Sequence, residues 1–132
     1  MTARTTLWTG RILSGIAVLF LLLDGALKLV PLQPVTDSLK ELGYPAGDAF
    51  ARFLGIVTLV SALLYAWPRT ALLGAVLLTG LMGGAISAHL RLEHPLFSHT
   101  LFGVWLGLFI WVGLWLRDDR VRQVMPLIRP AR

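Results

Sequence analysis

Residues 70–90, TALLGAVLLTGLMGGAISAHL, pass from Thr70 to Leu90 without a charged side chain. A helix crosses the hydrocarbon core of a bilayer with about 20 predominantly apolar residues, so this stretch predicts a membrane span. Just before it, Trp67-Pro68-Arg69 leaves room only for a very short turn. The apolar stretch on the other side of that turn, Ala49 to Trp67, must therefore return antiparallel, as the partner of a helical hairpin. It is the weakest of the apolar stretches, because only Phe53 to Trp67 lacks a charge. Arg52 is expected at the interface, its stem in lipid and its guanidinium among headgroups.

Two further apolar segments flank the hairpin. Ile12 to Val30 is interrupted by Asp24 and Lys28, and Phe97 to Leu116 is set off from the third segment by Pro95. Four such segments in one domain predict an all-α fold, an integral membrane antiparallel bundle of four transmembrane helices. Composition agrees. Of 132 residues, 56% are hydrophobic and 14% charged, and the mean hydropathy is +0.74. A soluble domain carries roughly 25% charged residues, and so few charges could not coat a water-facing surface. The net charge of +5 lies mostly at the edges of apolar runs rather than in a patch, so no nucleic-acid partner is expected. The chain has no cysteine, which excludes disulfides, thiolate catalysis, Cys-ligated zinc and Cys-ligated iron–sulfur clusters.

Arg4 and Arg11 before an apolar core resemble the start of a secretory signal. However, Asp24-Gly25-Ala26 puts a carboxylate where cleavage needs a small apolar residue, so the first helix is expected to be retained. Orientation follows from the excess of basic residues in cytoplasmic segments. With both termini in the cytoplasm, the inside set is Arg4, Arg11, Arg69, Arg117, Arg120, Arg122, Arg129 and Arg132, against only Lys40, Arg52 and Arg91 outside. Residues 117–132, basic and broken by Pro126 and Pro130, are expected as a cytoplasmic tail against anionic headgroups. In the long connection between Pro31 and Asp48, Pro34 stands just inside a helix start and Gly43 just past its end, with Val35, Leu39 and Leu42 at helical spacing between them. A short amphipathic helix on the membrane surface and an irregular loop both remain open there.

This topology places the polar residues by depth. Asp24 lies as far before Val30 as Thr58 lies past Arg52, so at about 1.5 Å of rise per residue the two share a level in the outer leaflet. His89 closes the third segment and His99 opens the fourth at the same side. Each segment thus sends a polar side chain toward one half of the bilayer. Asp24 and Lys28 stand one helical turn apart and can pair. A charge in hydrocarbon costs about 2.5–3.5 kcal/mol on insertion scales, so it faces the bundle interior and takes a partner. Two readings of this pair stand: the polar floor of a pocket that binds a ligand or moves a proton, or a self-satisfied ion pair that fixes helix packing. His89 is likewise either an acid, base or ligand clamp near neutral pH or a ring resting among headgroups.

His89, Glu93, His94 and His99 invite a metal reading, but Pro95 interrupts the run and no zinc spacing matches, so no metal is expected. Haem held by His89 and His99 is disfavoured because both lie at the membrane surface. Gly80, Gly84 and Ala88, with Thr79, Gly83 and Ser87 beside them and Gly103 and Gly107 on the fourth segment, form small-residue ladders. These predict close helix contacts within the chain, with pairing to a second copy as the alternative. Trp8, Trp67 and Trp115 are expected at the interfaces, and Trp105 and Trp111 packed more deeply. No nucleotide loop, Gly-x-Ser-x-Gly elbow or paired-carboxylate hydrolase pattern is present.

From Arg11 to Asp118 the sequence resembles the DoxX-like family of small bacterial membrane proteins. The likeness is carried by Asp24-Gly25-x-x-Lys28, Leu54-Gly55-Ile56, Leu64-Tyr65-x-x-Pro68-Arg69-Thr70, Gly83-Gly84-Ala85-x-x-x-His89, Pro95-Leu96-Phe97-Ser98-His99 and Leu116-Arg117-Asp118, in that order. The resemblance implies a four-helix protein of the bacterial inner membrane, with relatives linked to quinone-coupled oxidation of sulfur compounds and to membrane-associated redox complexes. Similar proteins often carry a Glu where this chain has Thr58. Any proton transfer that depends on that carboxylate is missing here.

Three functions follow as expectations. The first is an accessory or binding subunit, not an enzyme on its own and without a built-in cofactor. Its outer-leaflet pocket at Asp24, Lys28, Thr58, His89 and His99 would hold a lipophilic molecule such as a quinone, or a lipid. The second is the membrane component of a quinone-linked oxidoreductase, which needs redox partner subunits because this chain has no electron carrier of its own. The third is a small proton-coupled exporter, disfavoured because Lys28 competes for the carboxylate that must exchange protons. Membrane lipids are partners in every case, and a second copy of the chain is a partner if the small-residue ladders pair between molecules.

Overall fold

A computed structural model describes residues 2–30, 32–45, 47–95 and 101–130. Among them the fold is all-helical, without strands. In chain order the helices are α1 (Ala3–Leu29), α2 (Gln33–Glu41), α3 (Asp48–Ala66), α4 (Ala71–Arg91), α5 (Leu101–Arg117) and α6 (Asp119–Val124). By length and composition α1, α3 and α4 are each able to cross a membrane, and α5 is a shorter apolar helix. The hairpin turn and the ends of α3 and α4 fall within a residue of the sequence expectation. For the fourth segment, the expected residues 97–100 lie outside the described ones.

α1 begins well before the expected Ile12. Thr2 is extended, and its Oγ1 accepts from the Thr5 amide at 3.1 Å, which satisfies one of the orphan donors of the first turn. The connection between Pro31 and Asp48 is resolved in favour of the amphipathic helix. Pro34 sits in the first turn of α2, where its missing N–H costs nothing, Leu39 is buried, and Gly43 follows the helix at φ 84°. The basic C-terminal segment, expected as a tail, contains a helix as well. Asp118 caps α6 by accepting from the Arg120 amide at 3.0 Å, and Val121 is buried against the bundle. Arg120 also donates to Asp118 from Nε and Nη2, and this holds the Asp118 carboxyl below its ordinary value.

α1 packs along α3 and α5, and α4 packs along the same two helices from the other side, so α1 and α4 stand at opposite corners. Close crossings occur where a side chain is missing. A Cβ on Gly10 would lie 2.7 Å from the Arg117 amide nitrogen, and one on Gly113 2.6 Å from Ser14 Oγ. One on Gly55 would lie 2.8 Å from the Gly25 carbonyl, and one on Gly74 2.2 Å from the Tyr65 amide nitrogen.

The core fills only one half of the bundle. Ala17, Leu21, Tyr65, Ala75, Leu78, Ile110 and Leu114 are buried together there. Tyr65 is its centre: the hydroxyl donates to the Ile110 carbonyl at 2.7 Å and lies 2.8 Å from Ser14 Oγ, so three helices are joined by one phenol. In an apolar interior such a hydroxyl must be satisfied internally.

The small-residue ladders behave differently from expectation. Gly103 is tight against Ile86, but a Cβ on Gly80, Gly83, Gly84 or Gly107 would meet nothing within 4 Å. At these four positions the small side chain is not required by a neighbouring helix. Trp111 packs on the core as expected and donates to Thr79 Oγ1 at 2.8 Å. Trp105 does not: it is 54% exposed and lies beside Phe20 and Phe102 on the outer surface. Lipid is as apolar as a protein core, so depth in the membrane does not dictate burial.

Candidate ligand-binding cavity

In the half of the bundle left empty by the core, α1 and α4 face each other across a cavity of about 640 Å³. The last turns of α1 bring Asp24 and Lys28 to its wall. The second half of α4 contributes Gly80, Gly84, Ala88 and His89, and Leu54 of α3 closes one side. The contact of Gly25 with Gly55 positions the charged pair, because Gly55 also lies directly under the Lys28 Cβ. The remaining side is a roof. Val35 and Leu39 of the amphipathic α2, and Leu42 just past its end, look into the cavity together with Ser38 and Tyr44. Tyr44 is held by stacking on Phe50, ring centroids 4.7 Å apart.

Lys28 Nζ donates to Asp24 Oδ2 at 2.5 Å, and the two side chains keep 24% and 35% of their exposure. A pair that remains this accessible in an apolar wall retains donors and acceptors for a third group. His89 faces the same space, and its Nδ1 lies 2.8 Å from His94 Nδ1. One of these nitrogens donates and the other accepts, so a proton is shared between the rings. His94 Nε2 in turn approaches Glu41 Oε1 at 3.6 Å, and Arg91 Nη2 donates to the Leu42 carbonyl at 2.5 Å. The end of α2 is thus tethered to the end of α4, and the roof is fixed to the wall it covers.

The structure brings Asp24, Lys28 and His89 together. Thr58 is not brought to them: it is buried on α3, and its hydroxyl donates to the Leu54 carbonyl one turn back at 2.8 Å. A hydroxyl with no other partner in an apolar helix satisfies itself in this way. His99 lies outside the described residues. Among the described residues no His, Asp or Glu cluster has metal-binding geometry. Sequence reasoning missed Tyr44, Ser38 and His94 at the site. The spacing of Val35, Leu39 and Leu42 pointed to a covering face, but not to what it covers. His94 reaches His89 because the chain reverses at Glu93, whose φ is 53°, a turn that no glycine announces.

Apolar helices long enough to cross a bilayer, their outward faces lined by Ile12, Leu19, Leu23, Val60, Leu63 and Val76, define a multi-pass membrane protein with a polar-floored cavity between its helices. Residues 12–113 match the profile of the DoxX-like family, and the chain belongs to that family. No curated protein matches the chain, and no solved structure does.

Proposed function

We propose that this protein is a non-catalytic accessory or binding subunit of the bacterial inner membrane, and that its cavity receives a lipophilic molecule such as a quinone. The observation that carries the reading is the meeting of an ion pair from α1 and a histidine from α4 in one largely apolar cavity beneath an amphipathic helix. A quinone would offer its carbonyl oxygens to the Lys28 ammonium and to a His89 N–H, with its ring and tail against Leu39, Leu54 and Met82. The chain is an antiparallel bundle of four transmembrane helices in this proposal. The approach of Ser14 to Tyr65 and of Gly25 to Gly55 supports opposite directions for α1 and α3, and the contacts of Gly10 with Arg117 and Phe20 with Phe102 support the same for α1 and α5. Basic residues concentrated at one end support cytoplasmic termini. Proton-coupled export fits less well, since Lys28 already neutralises the carboxylate that would have to be free.

The test is native mass spectrometry of the protein extracted from its own membrane. The wild type is expected to retain a lipophile. Asp24→Asn should lower that retention about tenfold, because without its carboxylate partner the Lys28 ammonium swings toward water and the charge-assisted hydrogen bond it gives the ligand, worth about 1.5 kcal/mol, is lost. Equal retention by the two proteins would argue against the cavity as the binding site.

A further inference from the structure

A second cavity, of about 380 Å³, lies at the opposite end of the bundle, where α1 begins and α5 ends. Its charged lining consists of Arg11 from α1, Arg117 at the end of α5, and Asp118, Asp119 and Arg120 just beyond. Both carboxylates are already engaged. Asp118 accepts from the Arg120 amide and Nε on one oxygen and from Nη2 at 2.8 Å on the other, and Asp119 is paired with Arg122. Two cations are left over. The Arg11 guanidinium lies 5.2 Å from the Trp8 ring centroid and has no carboxylate partner among the described residues. Arg117 donates Nη2 to the Tyr65 carbonyl at 2.7 Å and lies over the Tyr65 ring; the neighbouring Asp118 carboxylate acts on it through space, but it forms no salt bridge among the described residues. Its buried Nε–H finds no acceptor among the described residues.

A buried guanidinium N–H without an acceptor is costly at the end of an apolar bundle. The tight crossing of α1 and α5 at Gly10 keeps the two arginines on one cavity. We infer that this cavity binds the phosphate of an anionic phospholipid, with Arg11 and Arg117 as its ligands. Guanidinium groups donate in a planar fork that matches phosphate oxygens, and this site presents two of them that form no salt bridge among the described residues. The remainder of the cavity decides between a lipid and free phosphate. Leu7 stands at its mouth over the buried Ala71 and Leu114, and α1 carries the exposed apolar Ile12, Ile16 and Leu19 on its outward face nearby. That surface suits the glycerol and acyl part of a lipid and offers nothing to an inorganic ion.

The test uses the full chain in nanodiscs of equal phosphatidylglycerol and phosphatidylcholine, with native mass spectrometry to count the lipids retained. The wild type is expected to keep phosphatidylglycerol in preference to phosphatidylcholine. Arg11→Gln should lower the retained phosphatidylglycerol about fivefold, the worth of one arginine near an anionic surface, and Arg117→Gln at least as much. Because Arg117 also holds the Tyr65 carbonyl, the decisive variant is Arg11→Gln, since the Arg11 side chain lies over the Trp8 ring and forms no hydrogen bond or salt bridge among the described residues. Arg129→Gln, exposed near the C-terminal end, should leave retention unchanged. Wild-type retention in Arg11→Gln overturns the proposal, and so does an equal loss in Arg129→Gln, which would mean diffuse charge rather than a site. Displacement of the lipid by millimolar inorganic phosphate would overturn the assignment to a lipid.

Discussion

Gly74→Ala is expected to abolish the folded bundle. The added methyl would sit 2.2 Å from the Tyr65 amide nitrogen and 2.5 Å from its Cα. Both neighbours are backbone, so no change of rotamer relieves the clash, and α4 would have to move off α3. That hairpin is held at its turn by Thr70, whose Oγ1 donates to the Leu64 carbonyl at 2.7 Å. Moving α4 would also displace Tyr65, whose hydroxyl joins α1, α3 and α5. Overpacking of a core commonly costs about 1–3 kcal/mol, and an immovable backbone obstacle places this substitution at or above the upper end. Size exclusion in detergent should show aggregate in place of a single species, and the thermal transition should be lost. Gly83→Ala, on the same helix with nothing within 4 Å of its Cβ, is the matched control. It should melt at or above the wild-type temperature, since alanine is favoured over glycine in a helix by about 1 kcal/mol. A wild-type melt for Gly74→Ala would mean that the two helices do not meet as described.

The second large effect concerns the ion pair, and it is asymmetric. Lys28→Met removes the only cation bonded to Asp24 among the described residues and leaves a short carboxylate in an apolar wall. An aspartate side chain cannot reach the interface, so the expected loss is about 2–3 kcal/mol. Asp24→Asn leaves the lysine, whose long stem can carry its ammonium toward water, and should cost about 1 kcal/mol. The double variant should be more stable than Lys28→Met alone, because no unpaired charge remains. Thermal melts of the four proteins give this cycle directly. Equal losses that simply add would show that the two side chains are not coupled.

How far the sequence discloses this molecule depends on the kind of signal. The apolar spans are legible because crossing a bilayer imposes length and composition on every residue of a segment. That is why the ends of α3 and α4 lie where 49–67 and 70–90 place them. The convergence of Asp24, Lys28 and His89 is legible for a related reason: topology assigns each residue a depth, and charges avoid lipid. Depth alone leaves rotation about the helix undetermined. Thr58 shares a level with Asp24, yet its face of α3 is buried and its hydroxyl turns to its own helix. The same lack of rotational information put Trp105 inside, where the structure leaves it outside. Pairings between distant single residues carry no pattern at all. Ser14 and Tyr65 are two isolated polar groups in apolar runs, and only the packed structure joins them. The short α6 was legible in principle from Asp118 at its start, but its basic composition and following prolines suggested a tail.

The most direct measurement fills the cavity without disturbing the helices that enclose it. Gly84 lines the space, and its Cβ position is clear to 4 Å, so Gly84→Phe can place its ring there while the packed core at the other end stays intact. Native mass spectrometry and thermal melting of this variant beside the wild type should show a folded protein that has lost its bound lipophile. A folded Gly84→Phe that keeps the lipophile as fully as the wild type would show that the molecule binds somewhere else.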